Sequence, residues 1–267
     1  MKKIQKQKIR IGSFLLAMLI LLQGWFATGI SAKEKERSWY ITRNGEHKQP
    51  TVCLSDAELA RYDAYYVDRT HGESCEEKVL YLTFDAGYEN GNISKILDVL
   101  RDENAPAAFF ILKHLIVHDA VLVERMAREG HLVCNHTMQH RDMTQLDDTA
   151  YAKEIEGLAL LYKEAFDKEM ARYYRPPEGK YTIKDLARTQ DLGYKTVFWS
   201  FAYADWDNEH QPTPEEAKKK IKDNIHNGAV LLLHPTSATN AEILSELIRE
   251  WKKEGYRFGT LDELTEK

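Results

Sequence analysis

Lys78-Val79-Leu80-Tyr81-Leu82-Thr83-Phe84-Asp85-Ala86-Gly87 is the stretch on which the fold turns. The run from Val79 to Phe84 is too short for a typical helix, rich in apolar and β-branched residues, and closed by a charge and a glycine, so it reads as a strand. Six more runs follow: Ala107 to Leu112, His131 to Cys134, Arg172 to Tyr174, Thr196 to Trp199, Ala229 to Leu233 and Tyr256 to Phe258. Between them apolar residues recur three and four apart, as in Ile93-Ile96-Leu97-Leu100, Val121-Val123-Met126-Ala127 and Ile155-Leu158-Leu161-Tyr162-Phe166, the spacing of one helix face. Gly130, Gly193, Gly228 and Gly255 lie between these patterns and the next strand, where helices stop. Strand and helix in alternation predict an α/β fold with a parallel sheet, and seven strands predict a distorted (β/α) barrel, with an open doubly wound sheet as the alternative.

Working outward, residues 33–77 are polar and Tyr-rich without clean periodicity, and read as an N-terminal arm laid against a domain spanning 78–267. Residues 1–32 carry Lys2, Lys3, Lys6, Lys8 and Arg10, then no charge from Ile11 to Ala32. This is the pattern of a signal peptide cleaved after Ala32, or of a retained membrane anchor, and either places the bulk of the chain outside the cytoplasm. Losing five cations and no anion would take the formal net charge from −5 to −10. An acidic exported protein suits a neutral or amine-bearing substrate, and argues against nucleic acid as partner; membrane contact is expected only through the N-terminal segment, if uncleaved. Of the three cysteines, Cys53 and Cys75 are expected to form a disulfide, and Cys134, inside an apolar run, to stay reduced.

Unusual polar residues fall just after the carboxyl ends of the strands: Asp85, His136 and His140, Arg175, Asp205 and His234. In barrel-like α/β folds that rim carries the chemistry. Asn135-His136-Thr137-Met138-Gln139-His140 puts two imidazoles four residues apart, on one face if the segment is a helical turn, which suits two ligands of one metal. Asp85 could instead cap a helix, although Gly87 and Gly91 would let a substrate approach the backbone closely. The prolines of Arg175-Pro176-Pro177-Glu178-Gly179 stiffen the loop that carries the arginine.

Together these segments resemble the five motifs of the polysaccharide deacetylases with a NodB-homology domain, carbohydrate esterase family four. Thr83 to Gly87 resembles the first motif, Asn135 to His140 the second, Arg175 to Gly179 the third, Asp205-Trp206 the fourth and Leu231 to His234 the fifth, covering about residues 78–264. Ala86 to Gly91 and Phe198 to Tyr203 further resemble the spore-cortex members that deacetylate muramic acid on the way to muramic δ-lactam.

The resemblance implies a zinc-type divalent metal, with cobalt or manganese as alternatives, on His136 and His140. Many members carry a second Asp where Ala86 stands, so the metal would need water, substrate or another group for its remaining positions. The expected roles are Asp85 as base, His234 as acid, Arg175 orienting Asp85, Asp205 tuning His234, the Glu178 main-chain N–H stabilising the oxyanion and Trp206 contacting substrate. The expected activity is removal of N-acetyl groups, linear amides, from a peptidoglycan glycan strand in the wall or spore-cortex space. The alternatives are a deacetylase of chitin-like oligomers and a non-catalytic wall-binding protein.

Overall fold

The computed structural model describes residues 34–43 and 45–266, so the expected export segment at 1–32 lies outside the described residues. The strands are β1 (Arg37–Ser38), β2 (Ile41–Thr42), β3 (Thr51–Val52), β4 (Ala64–Tyr65), β5 (Lys78–Ala86), β6 (Ala107–Ile111), β7 (Leu132–Asn135), β8 (Tyr173–Tyr174), β9 (Lys180–Tyr181), β10 (Lys195–Val197), β11 (Ala229–Leu233) and β12 (Tyr256–Phe258). The helices are α1 (Asp56–Arg61), α2 (Ile93–Asp102), α3 (Lys113–His118), α4 (Ala120–Arg128), α5 (Asp148–Phe166), α6 (Ile183–Asp191), α7 (Pro214–Lys222), α8 (Ala238–Lys253) and α9 (Leu261–Thr265).

The main sheet runs β11-β5-β6-β7-β8-β10-β4, with β12 paired to the first residues of β5. Every pairing in it is parallel. All seven expected strands are present, and an eighth, β4, comes from the arm, where two residues are too few to show a period. Single bridges from Val67 to Ala229 and from Phe201 to Leu231 bring the far side of the sheet round to β11 and curl it into a distorted barrel.

Side-chain alternation along β5 separates two cores. Val79 and Tyr81 join Ala108, Phe110, Cys134 and Val197 in one cluster inside the curl. Leu80, Leu82, Phe84 and Ala86 pack outward with Ile93, Ile96 and Leu97 of α2 and Leu244, Leu247 and Ile248 of α8. Both faces are buried, which is why the strand is apolar at consecutive positions. Local signals set the helix starts. Thr182 with Asp185 and Thr213 with Glu216 form capping boxes at α6 and α7, and Pro214 occupies the first turn of α7.

Two details differ from the sequence reading. Val121 is 78% exposed, so the inward face of α4 rests on Val123 and Met126. Gly228 stops no helix, because α7 has already ended at Lys222. Its φ is +76°, and a β-carbon there would lie 2.4 Å from the Asp68 carbonyl oxygen, so this glycine lets the arm pack against the start of β11.

Candidate active site

Strand register levels the functional side chains. Phe84 pairs with Leu233, Asp85 with Phe110, Ile111 with Asn135, and Asn135 with Tyr174. The next residues out, His136, Arg175 and His234, therefore leave the sheet at one rim, as the sequence predicts.

Arg175 is fully buried and organises the centre. Its guanidinium donates to Asp85 Oδ1 at 2.8 Å, Thr83 Oγ1 at 2.8 Å, the Val197 carbonyl at 2.9 Å and the Phe198 carbonyl at 3.2 Å, and lies over the Phe110 ring. Asp85 is thus held by a bond from an arginine, and caps no helix. Burial alone would raise its carboxyl, but the Arg175 guanidinium, with smaller contributions from the His136 and His234 rings when protonated, outweighs it and holds the group below the ordinary carboxylate value.

The two expected metal ligands meet, by a different route from that expected. Residues 136–142 form no helical turn; Thr137 and His140 have φ of +78° and +55°, and the chain loops so that the rings lie 5.0 Å apart. Bonds from Asn135 Nδ2 to the Ile155 carbonyl, from the Thr137 N–H to Asn135 Oδ1 and from the His140 N–H to Thr137 Oγ1 fix that loop. His136 Nδ1 lies 2.8 Å from the Arg175 carbonyl. A carbonyl only accepts, so Nδ1 carries the proton and Nε2 presents its lone pair, 3.6 Å from Asp85 Oδ2. Burial pushes His136 down to about 4, so the ring is neutral at pH 7.

This donor set fits a metal held by His136 and His140 at the edge of Asp85. Among the described residues no group of three or more His, Cys, Asp or Glu stands ready as a closed cage. Ala86, where a third protein ligand is expected in the family, is fully buried and packs outward with Phe84.

Across the site, Asp205 accepts from His234 Nδ1 at 2.7 Å, from the His234 N–H at 2.8 Å and from Asn240 Nδ2 at 2.6 Å. Asn240 also donates to the His234 carbonyl and accepts from the Tyr203 hydroxyl. Burial would lower His234, but the Asp205 bond and charge, with Asp85 beyond, raise it above its ordinary value.

In the Arg-Pro-Pro loop, Gly179 N–H bonds to the Pro176 carbonyl and Lys180 N–H to that of Pro177, while Glu178 N–H enters no hydrogen bond among the described residues. The Glu178 carboxylate is paired with Lys180 Nζ at 2.6 Å. A cavity of about 680 Å³ joins these parts, lined among others by Asp85, His136, His140, Glu178, Trp206 and His234.

Sequence reading missed several residues of this site. Tyr88 and Trp199 also line the cavity, and the Tyr88 hydroxyl accepts from Asn208 at 2.6 Å, linking loops on its two sides. Asn240 lies on α8, far from any motif, and only its partners reveal it. Cys53, Cys75 and Cys134 are all free thiols, which overturns the expected disulfide. Cys53 Sγ instead contacts the Tyr181 hydroxyl at 3.3 Å, while Cys134 is buried and its thiol pushed well up by desolvation.

Comparison with known proteins adds to this geometry. Residues 72–197 match the polysaccharide deacetylase family. The chain is 36% identical, over 93% of its length and 92% of the relative's, to an uncharacterised 30.6 kDa protein of Geobacillus stearothermophilus. It is 35% identical to the peptidoglycan-N-acetylmuramic acid deacetylase PdaA of Bacillus subtilis, over 92% of each chain. The solved structure of PdaA, a family 4 carbohydrate esterase, matches with a TM-score of 0.81, covering 86% of this chain and 97% of that one. A family 4 carbohydrate esterase from Bacillus anthracis matches at 34% identity with a TM-score of 0.71, covering 87% and 97%. With a parallel sheet curled like theirs and sequence likeness over nearly its whole length, this chain belongs to the polysaccharide deacetylases, carbohydrate esterase family four.

Proposed function

We propose that this protein hydrolyses N-acetyl groups of peptidoglycan amino sugars, with muramic acid as its substrate sugar. The observation that carries the chemistry is that one cavity is lined by both Asp85, bonded to Arg175, and His234, whose Nδ1 is turned to Asp205, a partner that favours its protonated form. Amide hydrolysis needs a base for the attacking water and an acid for the departing amine.

Asp85 takes the water proton through Oδ2, since Oδ1 is occupied by Arg175. His234 delivers a proton from Nε2, because Nδ1 is turned to Asp205. Glu178 N–H donates to the oxyanion as the carbonyl becomes tetrahedral. His136 and His140 are the residues that would hold a divalent metal, zinc or in its place cobalt or manganese, which when bound supplies Lewis-acid polarisation of the carbonyl and a more acidic water. Trp206, 61% exposed on the cavity wall, offers its face to the sugar.

The choice of muramic acid rests on the likeness to PdaA along 92% of both chains. Acetyl removal leaves a free amine on the sugar, the nucleophile needed for the lactyl carboxyl to close a δ-lactam, and we place the enzyme before that closure in spore-cortex synthesis. Export to the wall side of the membrane follows from such a substrate.

Mass spectrometry of defined muropeptides, with and without stem peptides and with added divalent metals, tests the reading. Loss of one acetyl from muramic acid is expected. Loss only from glucosamine would move the activity to the other sugar, and no loss on any fragment would sink the enzymatic reading in favour of a wall-binding protein.

A further inference from the structure

Glu178 and Gly179 are two successive left-handed residues, with φ of +56° and +65°. A side-chain-bearing residue stays in that region only where its surroundings hold it there. Part of what holds this loop comes from the arm, almost 140 residues earlier in the chain.

Trp39 N–H donates to the Gly179 carbonyl at 2.8 Å, and its indole Nε1–H donates to the Trp199 carbonyl at 3.0 Å. Its ring lies flat on Phe198, with centroids 4.1 Å apart and planes 9° apart, and meets Tyr66 edge-on at 5.3 Å. Next to that contact, β1 pairs antiparallel with β9, Ser38 opposite Lys180. Gly179 is wedged between two tryptophans: a β-carbon there would lie 2.7 Å from the Trp199 ring and 3.0 Å from Trp39 Cβ. Phe198 also gives its carbonyl to Arg175, so the ring under Trp39 belongs to the residue that helps seat the arginine.

We propose that Trp39 is a positioning residue of the active site. It locks residues 176–179 so that the Glu178 N–H faces the cavity, and it fixes Trp199 as a wall of that cavity. The N-terminal arm is then part of the catalytic apparatus, although none of its residues touches substrate. The effect on catalysis rests on the oxyanion role given above to Glu178; the clamp itself does not.

The test compares Trp39→Ala and Trp39→Phe in the full chain by deacetylation kinetics, metal content and amide hydrogen exchange of residues 176–181. For Trp39→Ala, loop exchange should quicken at least about tenfold. The kcat should fall roughly 10- to 100-fold with KM within about threefold and metal content unchanged, the pattern of a displaced oxyanion donor. Trp39→Phe keeps the stack on Phe198 and loses the indole N–H, so it should recover most of the rate. A merely structural role would not single out kcat while leaving metal content and KM in place.

Wild-type kcat in Trp39→Ala, or a kcat loss with loop exchange unchanged, overturns the proposal. If Trp39→Ala does not fold, Trp39→Phe decides by itself: wild-type kcat together with wild-type loop exchange overturns it, and a partial loss in step with faster exchange supports it. If the wild-type protein releases no acetate, the deacetylase reading fails separately and the exchange measurement alone decides the clamp, quickened exchange upholding it and unchanged exchange removing it.

Discussion

His136 and His234 line one cavity, the first buried and the second part-buried, and each turns Nδ1 to an oxygen at nearly the same distance, 2.8 Å and 2.7 Å. Their protonation goes in opposite directions, down to about 4 for His136 and up for His234. Two things differ: His136 is the more deeply buried, and the oxygen at its Nδ1 carries no formal charge. A neutral carbonyl orients a ring without repaying the cost of burying its positive form; the Asp205 carboxylate repays it. One ring is thereby suited to bind a metal and the other to give up a proton, so partner type divides the labour between two identical residues. His131 supplies a third case. It is buried, both ring nitrogens lack a hydrogen-bond partner among the described residues, and burial pushes it down to about 4.

The comparison breaks most completely at Asp85, which lies within the field of both rings. Asp85→Asn keeps the side-chain shape but removes the base and the charge that both histidines feel, so turnover should fall about 10³-fold or more in a folded protein. Substantial activity in that variant would falsify the role of Asp85 as base. Asp205→Asn should convert His234 toward the His136 type. The raised His234 contributes stability that is fully present below the unfolded histidine value and is lost as pH rises through the folded one. The variant should lose that contribution, and the basic limb of its kcat/KM profile should move to lower pH, with turnover reduced about 10- to 100-fold; an unmoved limb would assign the acid to another group.

Ala86→Asp tests the ligand side. Ala86 is fully buried and packs outward with Phe84, so a carboxylate there faces the outer core and not the two histidines: the melting temperature should fall, and metal affinity by titration should stay within about threefold. Metal binding tightened about tenfold or more would show that position 86 reaches the metal.

The smallest effect is at His131. The unfolded chain takes up a proton near pH 6.5 and the folded ring only near about 4, so stability drains as pH falls across that window, by about 3 kcal/mol at most. His131→Phe, beside Phe109, should flatten the loss in denaturant titrations at pH 7 and pH 4.5. Parallel curves for the two proteins would remove this account of His131.

Much of this comparison can be read before any coordinates. Parallel strands covered on both faces write themselves as unbroken apolar runs, and the polar residue that ends each run marks the rim, which is how Asp85, His136, Arg175 and His234 stand out. What stays hidden depends on distant neighbours or on backbone angle. β4 is two residues long, and Trp39 looks like any aromatic in a polar arm. The left-handed turns at Thr137 and His140 carry no glycine to announce them, and Gly179 does not reveal that Glu178 before it is left-handed as well. The pairing expected of Cys53 and Cys75 rested on compartment and order along the chain, neither of which fixes how near two sulfurs come. Asn240 is invisible without Asp205 beside it.

The seam of the barrel runs between His234 and the Asp205 that supports it. Asp85 sits on β5, which is laddered on both sides through five-residue registers with β11 and β6. Asp205 follows Phe201, whose link to Leu231 is a single bridge, and the neighbouring closure at Val67 is no wider. Gentle heating should therefore part the wall beside Asp205 before it disturbs the floor beneath Asp85. An enzyme built this way first loses the carboxylate that supports its proposed proton donor, and goes silent at a temperature where its circular dichroism still reports an intact sheet.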